Sequence, residues 1–325
     1  MIFFDNRWSG NNGIGRYSKE MSLIANLVQI KFINGAHPTK LFELFKPVFH
    51  REKTDIYYSP GYIARPFFNS QIITIHDLIL LESGIGNLVH KIYFNFYLKP
   101  RVKSGKIRVV TVSEHSRRNI AEWAGLPLTK ISVIPNGVSK EILRAGVTLN
   151  PKPRGKTLMF LGSMKSHKRF DLFVESINLL VEPYSIILVG PDLNVAKIAE
   201  RHFVNHLENV TDVDLARAYL ESNVVVVTSQ YEGFCMPVLE GSYLGCKILH
   251  LGVLPTIREI IGESSFSTFG STNPADISRE IQFAVNSKPR LSEQDRRNLV
   301  KKFNWENSRN KLKDILCVQL ESKSR

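Results

Sequence analysis

The chain has 325 residues and a formal net charge of +13 at pH 7. That length suits two domains, each able to bury its own core. Hydrophobic residues at 43% and charged residues at 22% describe an ordinary globular protein and exclude a disordered one. No run approaches the length of a membrane-spanning helix, and the N-terminal residues do not resemble a signal peptide, so neither is expected.

Cysteine content and charge narrow the class further. Cys235, Cys246 and Cys317 form neither a disulfide framework nor a metal-site spacing, so reduced thiols and a cytoplasmic protein are expected. The positive charge suits nucleic acid, an anionic membrane or anionic substrates, but no nucleic-acid-binding motif accompanies it. The densest basic stretch, residues 91–118, includes aromatic residues at 92–98. That combination suits a membrane interface and suits a helix with a solvated face equally well.

Strands and helices alternate in the first half of the chain. Apolar runs predict strands at 1–5, 56–60, 71–75, 108–112 and 131–134, and a helix is predicted over 18–28. A glycine loop, residues 10–17, follows the first strand. Its glycines allow the backbone to approach a phosphate or a sugar, although the spacing is not that of the dinucleotide fingerprint.

Two polar sites follow strands in this half. His76 and Asp77 come directly after strand 71–75, where an open α/β sheet places its ligand contacts. The alternative is a structural histidine capped by Asp77. Ser113 follows strand 108–112 and suits the N-cap of the next helix, which explains this serine without a ligand.

The second half repeats the alternation after a linker-like stretch, residues 151–156. The domain boundary is predicted there, between residues 1–150 and residues 151–325. Strands are expected at 157–161, 185–189, 224–228 and 247–251, and helices at 171–180, 215–220, 277–285, 296–303 and 305–320.

Three polar clusters in this half have competing interpretations. The turn after strand 157–161 carries clustered cations, of which Lys168 is suited to neutralise a diphosphate. Asp212 and Asp214 form an Asp-x-Asp pair that binds metal in a different fold, but capping of the helix after them is the favoured interpretation. His202 and His206 are assigned to a surface helix, since no third metal ligand is near.

The stretch 231–241 has the strongest pattern in the chain. A buried strand of four valines precedes a glycine turn, and Pro237 suits the first turn of a helix. The start of such a helix offers N–H groups and a positive dipole end to a phosphate. Glu232 and Glu240 would repel that phosphate, so they are expected to bind the hydroxyls of a sugar or ribose. Together these features predict a nucleotide-sugar pocket.

This stretch also resembles a known family. Glu-Gly-Phe-x-x-Pro-x-x-Glu is similar to the Glu-x7-Glu signature of the family 4 glycosyltransferases, and the resemblance extends over residues 13–17, 74–78, 111–116 and 135–138. It implies an α/β protein of GT-B fold, with two Rossmann-like doubly wound domains facing an interdomain cleft. Residues 1–150 would bind the acceptor. Residues 151–325 would bind the nucleotide sugar and end in a closing helix.

The resemblance implies roles for individual residues. His76, Glu232 and Lys168 would be catalytic, Glu240 would hold the ribose, and no metal is required. The donor site would comprise Gly13, Gly15, Gly162, Ser163, Lys168, Gly233, Phe234, Cys235, Met236, Pro237 and Glu240, and the acceptor side Arg16, Tyr17, Asp77 and Ser113. The chain departs from the family at one point, because Ser163 and His167 stand where an arginine is usual.

The implied activity is retaining transfer of a sugar to a saccharide or lipid-linked saccharide in the synthesis of a surface polysaccharide, such as O-antigen, capsule or exopolysaccharide. The donor would be GDP-mannose, dTDP-rhamnose or a UDP-hexose, used without a cofactor. The implied location is the cytoplasm, and the basic, aromatic stretch favours peripheral attachment to the inner membrane face. The alternatives are a sugar-nucleotide epimerase of the same fold and a non-catalytic binding protein, which the missing arginine favours.

Overall fold

Each half of the chain builds one parallel sheet, because its central strands are short apolar runs that are buried on both faces. The computed structural model describes residues 1–10, 12–39, 52, 55–82, 86–149, 155–252, 254–262, 267–287 and 291–324. The chain divides into two compact units, Met1–Asn136 with Phe303–Arg325, and Gly137–Lys302.

The first unit contains six parallel strands in the order β2-β1-β3-β4-β5-β6. Because β1 pairs with both β2 and β3, the strand order reverses at β1. The strands are β1 (Ile2–Asp5), β2 (Ile30–Ile33), β3 (Ile56–Ser59), β4 (Ser70–Thr74), β5 (Ile107–Thr111) and β6 (Ile131–Val133). The predicted strands of this half are confirmed to within about a residue or two, and β2 is an addition to them.

Three helices of the first unit begin at polar caps, Asn12, Asn87 and Ser113. Asn12 Oδ1 accepts a hydrogen bond from the Gly15 N–H, so α1 begins inside the glycine loop and not at residue 18 as predicted. Ser113 caps α4 as predicted, with its side chain accepting from the Ser116 N–H. The helices are α1 (Gly13–Ser22), α2 (Leu88–Ile92), a π-helical turn (Tyr93–Leu98), α3 (Lys99–Lys103), α4 (Glu114–Ala124) and the terminal helix α12 (Trp305–Ser324).

The second unit contains six parallel strands in the order β12-β11-β10-β7-β8-β9. They are β7 (Thr157–Leu161), β8 (Ser185–Val189), β9 (Phe203–Leu207), β10 (Val224–Val227), β11 (Lys247–Leu251) and β12 (Ser267–Phe269). The helices are α5 (Lys140–Thr148), α6 (Phe170–Asn178), α7 (Asp212–Leu220), α8 (Met236–Tyr243), α9 (Pro255–Ile261), α10 (Pro274–Asn286) and α11 (Glu293–Lys302). The strand order reverses between β10 and β7, and ligands of open α/β sheets bind at such a reversal.

The unit limits differ from the predicted domains at both ends of the second unit. Helix α5 lies within the second unit, where the Leu143 carbonyl accepts from the Tyr243 hydroxyl at 3.3 Å. Helix α12 returns to the first unit, where Arg309 pairs with Glu20 at 3.0 Å. The linker predicted at 151–156 falls mostly outside the described residues. Among the helices of the described ranges, none combines the length and hydropathy needed to cross a bilayer.

The two histidines predicted on a surface helix lie elsewhere. His202 precedes β9 and His206 lies in it, so their spacing of four residues does not place them on one face of a helix. His202 is buried, accepts from the Tyr184 N–H through Nδ1 and reaches the Ile177 carbonyl through Nε2. Its role is to tie β9 to the helix before β8, since both ring nitrogens are used by the backbone.

Candidate functional site

The strand reversal of the second sheet brings two loops together. Because β7 and β10 are adjacent and parallel, the loops after their carboxyl ends meet at one edge of the sheet. The first loop carries Lys168 and the second carries Glu232, and these side chains form an ion pair with Lys168 Nζ 2.7 Å from Glu232 Oε1. The pair is mostly buried, with the lysine 20% and the glutamate 12% exposed. The structure therefore joins two of the three predicted catalytic residues.

Thr228 fixes the lysine loop to the end of β10. Its buried hydroxyl donates to the carbonyls of Lys168 and Arg169 at 2.8 and 2.9 Å. Arg169 has a φ of 49° and is the left-handed residue that ends the short 3-10 turn before α6. Thr228 was not singled out from the sequence, although a hydroxyl directly after a run of buried valines is the signal that marks it.

Cys235 sits at the turn from the second loop into α8. Its φ of 72° places it in the left-handed region, and Met236 and Pro237 then open the helix as predicted. Burial raises the pKa of the Cys235 thiol, and the nearby Glu232 carboxylate raises it further, so this sulfur is a neutral thiol. The helix directs its positive end toward the loop edge, which favours an anion there.

Glu240 lies inside α8 and is 1% exposed. The Tyr219 hydroxyl of α7 donates to its Oε2 at 3.2 Å and orients the carboxylate. A buried carboxylate binds hydroxyl donors more strongly than an exposed one, because the low surrounding dielectric strengthens the hydrogen bond. Tyr219 is a second residue that the sequence did not mark, since its helical spacing is that of an ordinary core tyrosine.

In the loop after β7, where the family usually carries an arginine, the positive charge that is available comes from lysines. Burial, with the positive charge of Lys168, lowers the pKa of His167 to about 4, so this imidazole is neutral near pH 7 and cannot supply the arginine's charge. Arg169 directs its guanidinium to Asp171, at 3.3 Å. Lys165 is exposed on the same loop.

Gly190 allows the turns after β7 and β8 to approach closely at this edge of the sheet. A Cβ at Gly190, whose φ is +141°, would stand 1.7 Å from the Gly162 carbonyl oxygen, so the turns after β7 and β8 are in backbone contact. Gly162 and Ser163, both predicted donor residues, lie in the first of these turns. Only glycine at 190 permits this approach.

The first unit gathers its predicted residues around the start of α1. A Cβ at Gly15 would stand 2.1 Å from the Gly10 carbonyl oxygen, so the glycine loop folds closely onto the helix that it precedes. Gly13 is exposed at the first helical position and Arg16 is half-buried. Tyr17 is fully buried, and the Tyr58 hydroxyl lies 3.4 Å from its hydroxyl.

His76 packs against Tyr17 at the end of β4. The two rings meet edge-on with centroids 4.8 Å apart, and His76 Nε2 lies 2.9 Å from the Pro60 carbonyl oxygen. Burial lowers the pKa of His76 to about 4, so the ring is neutral near pH 7. Since a carbonyl only accepts, the neutral ring carries its proton on Nε2 and leaves Nδ1 as an acceptor. Nδ1 is therefore suited to a hydroxyl group of a ligand.

Asp77 and Ser113 have structural partners. Asp77 Oδ1 accepts from the Ile79 N–H at 3.0 Å and forms the turn after β4. Ser113 is buried at its cap. Their assignment to the acceptor side stays a prediction.

The Asp-x-Asp pair serves the start of α7. Thr211, and not an aspartate, is the N-cap, and its hydroxyl donates to Asp214 Oδ2 at 2.6 Å. Asp212 and Asp214 lie in the first turn, where acidic residues favour the helix dipole. Within the described residues, no group of three or more His, Cys, Asp and Glu side chains is arranged to hold a metal ion.

We expect His76 to titrate near pH 4 in the folded protein, against 6.5 in the unfolded chain. The unfolded chain then binds more protons between these values, so His76 lowers stability as pH falls from 6.5 towards 4 and has no effect above 6.5. NMR of the ring ¹³Cε1 resonances, with His76→Gln to assign the signal, measures this. A midpoint for His76 close to 6.5 would contradict its burial in the neutral form.

Comparisons with known proteins support the class of protein that this geometry suggests. Residues 146–303 match the sequence profile of the family described as glycosyl transferases group 1, and the match coincides closely with the second unit. The fold has solved relatives among glycosyltransferases of the GT-B type. The family resemblance is supported for residues 146–303, which match the group 1 glycosyltransferases, and the predicted fold class of two Rossmann-like α/β units is confirmed.

Individual relatives are distant. The O-antigen chain mannosyltransferase B of Escherichia coli is 24% identical over 278 residues, which are 78% of this chain and 72% of that protein. Sucrose-phosphate synthase from Thermosynechococcus elongatus superposes with a TM-score of 0.72 over 99% of both chains, at 14% identity. Anabaena HepE, solved with UDP and glucose, gives a TM-score of 0.69 over 98% of this chain and 99% of its own, at 12% identity. At these identities the structural matches establish the fold alone.

Proposed function

We propose that this protein is a retaining glycosyltransferase that takes a sugar from a nucleotide-activated donor. The observation that carries the proposal is the Lys168–Glu232 pair at the strand reversal of the second sheet. A cation and a carboxylate side by side suit the two ends of one ligand, a diphosphate and the hydroxyls of the sugar attached to it. The Escherichia coli relative, an O-antigen mannosyltransferase, supports GDP-mannose as the first donor to test.

The donor would bind along the carboxyl edge of the second sheet. Glu240 would accept from the ribose hydroxyls, and Lys168 with the N-terminus of α8 would neutralise the diphosphate. Glu232 would accept from sugar hydroxyls. For His76, the acceptor position at Nδ1 suits a sugar hydroxyl.

Chemistry at this site would depend on positioning and charge. The bond from the sugar's anomeric carbon to the diphosphate breaks as the acceptor oxygen bonds to the same face, and the departing phosphate takes the acceptor's proton. Lys168 would stabilise the charge that develops on the diphosphate. No step in this scheme requires a metal ion, because the lysine and the helix N-terminus supply the positive charge.

The acceptor is proposed to be a saccharide carried by a lipid, in the synthesis of a surface polysaccharide. Support comes from the O-antigen relative and from the basic character of the chain. Residues of the first unit near the start of α1, Arg16 and Tyr17 among them, would lie on the acceptor side.

A nucleotide-sugar-binding protein without turnover is the second candidate. The observation that favours it is the neutral His167, which leaves the donor loop without the arginine charge that the family uses. Release of nucleoside diphosphate in the presence of a polyprenyl-linked saccharide separates the two, since only a transferase releases it.

Thermal denaturation with a panel of nucleotides, in EDTA, tests donor binding. A ligand of the folded state at 100 times its Kd adds about 2.7 kcal/mol to stability, so the melting temperature is expected to rise with one nucleoside diphosphate and its sugar derivatives. The shift should be reduced in Glu240→Gln. If no nucleoside diphosphate shifts either protein, donor binding at this edge is wrong; if a shift requires added divalent cation, metal independence is wrong.

A further inference from the structure

The helical run from α2 to α3 exposes a cluster of apolar side chains. Leu88, Val89, Ile92 and Phe96 are 72%, 69%, 49% and 79% exposed. We call residues 88–103 the helical surface. Other large apolar side chains that are exposed among the described residues occur singly, such as Phe283, or in pairs, such as Leu179 with Val181 and Leu23 with Leu27. Single exposed apolar residues are normal, but a contiguous patch marks an interaction site.

The run has two opposed apolar faces. Phe94, Leu98 and Val102, spaced by four, are buried in the core of the first unit with Ile73 and Val109. Leu88, Ile92 and Phe96 are also spaced by four, but they point to solvent. The π-helical turn over Tyr93–Leu98 has more residues per turn than an α-helix, which keeps both rows in line. The inner row, Phe94, Leu98 and Val102, is therefore explained by packing in the core. The outer row, Leu88, Ile92 and Phe96, is not explained in this way.

The sequence that contains the outer row is basic and free of acidic residues. From residue 83 to residue 113 the chain contains no Asp or Glu, while Lys and Arg occur six times, at 91, 99, 101, 103, 106 and 108. Lys103 is exposed and lies seven residues after Phe96, two helical turns along the same side. Arg101 stacks on the Tyr97 ring with its guanidinium carbon 4.0 Å from the ring centroid.

Exposed apolar side chains beside basic side chains suit contact with an anionic lipid surface. Anionic phospholipid headgroups attract lysine and arginine, while the acyl boundary accepts Leu, Ile and Phe side chains. A second copy of this chain is a poorer occupant, because it would bring two acid-free basic clusters together.

We propose that the helical surface binds the surface of an anionic phospholipid bilayer, with Ile92 and Phe96 entering the acyl boundary and Lys99 and Lys103 at the headgroups. This contact would present the first unit to a lipid-linked saccharide, so it rests on the proposed function for its purpose. The contact itself requires neither donor nor acceptor.

Co-sedimentation of the full chain with vesicles tests the proposal. Wild type is expected to bind vesicles of phosphatidylcholine with 30% phosphatidylglycerol, and to bind pure phosphatidylcholine at least tenfold more weakly. The double variant Ile92→Ser/Phe96→Ser should lose at least tenfold in binding, because both apolar side chains leave the boundary. Lys99→Gln/Lys103→Gln should lose roughly 25-fold, about fivefold for each charge, and less in high salt.

Matched changes away from the helical surface serve as controls. Val181→Ser/Phe283→Ser removes two exposed apolar side chains of the second unit, and Lys130→Gln/Lys140→Gln removes two exposed lysines. Both are expected to bind as wild type does. Equal losses in the two lysine pairs would assign binding to general net charge, and equal losses in the two apolar pairs would assign it to general surface hydrophobicity. Either result would overturn the proposal, as would equal binding to neutral vesicles.

A separate measurement distinguishes self-association. If sedimentation velocity shows a dimer that Ile92→Ser/Phe96→Ser abolishes, the surface is an interface between copies and the membrane proposal is wrong. Nucleotide-induced thermal shifts should be the same in the double variant and in wild type. If wild type shows the nucleotide-induced thermal shifts but does not bind vesicles, the membrane contact alone is rejected. If wild type shows no nucleotide-induced thermal shift, the proposed donor site is rejected.

Discussion

Replacement of Lys168 by glutamine is expected to lower kcat about a thousandfold, since removing one group that stabilises developing charge costs 10²–10³ in rate. Lys168 Nζ is 2.7 Å from Glu232 and mostly withdrawn from solvent, so its charge acts through a low dielectric. A thousandfold loss corresponds to about 4 kcal/mol of transition-state stabilisation.

The measurement is steady-state kinetics of nucleoside diphosphate release, with Lys197→Gln as the control. Lys197 is an exposed lysine of the same unit, and its loss should leave kcat unchanged. Lys165→Gln tests whether the exposed lysine of the loop replaces the missing arginine, and a tenfold loss is expected if it does. A kcat for Lys168→Gln within threefold of wild type would contradict the diphosphate role.

Folding must be separated from catalysis in this variant. Lys168→Gln leaves the Glu232 carboxylate mostly buried without its cation, which destabilises the loop. The double variant Lys168→Gln/Glu232→Gln restores a neutral pair of similar size and should recover stability, but not turnover. Thermal denaturation of both variants shows whether the lost rate reflects lost structure.

How far the sequence predicts the fold depends on where a strand lies in its sheet. Most of the predicted strands are central ones, such as β10, whose four valines are all buried, although β6 was also predicted and lies at an edge of the first sheet. The strands that were missed are β2, β9 and β12, and each lies at an edge of its sheet. Edge strands are partly exposed and carry polar residues, as in Lys31 of β2 and Asn205 of β9, so they lack a continuous apolar run.

Residues of the site that interact locally were predictable, and those that meet through the fold were not. Ser113 as a cap and Pro237 in a first helical turn follow from the adjacent sequence. The pairing of Lys168 with Glu232 joins residues that are 64 positions apart, and it follows only from the adjacency of β7 and β10. The return of α12 to the first unit likewise depends on contacts such as Arg309 with Glu20, which no local pattern contains.

Replacement of Glu232 and replacement of Glu240, the two glutamates of the stretch 231–241, are expected to impair different steps of the reaction. Glu232 is 12% exposed beside Lys168, whereas Glu240 is buried in α8 against Tyr219. We expect Glu232→Gln to lower kcat at least a hundredfold, with little change in nucleotide affinity, because Glu232 would contact the transferred sugar in the proposed donor complex. Glu240→Gln should weaken nucleoside diphosphate binding tenfold or more, with kcat at saturating donor mostly kept, because Glu240 would contact the ribose in the proposed donor complex.

Kinetics with both substrates varied, together with calorimetric binding of the nucleoside diphosphate, separates these effects. Tyr219→Phe removes only the hydroxyl that orients Glu240, so it should weaken binding by a few fold and leave kcat unchanged. The reverse pattern, with affinity lost in Glu232→Gln and kcat lost in Glu240→Gln, would exchange the two roles. Full turnover in Glu232→Gln would remove this residue from catalysis altogether, and the Lys168–Glu232 pair would then be a structural ion pair that fixes one loop to the other.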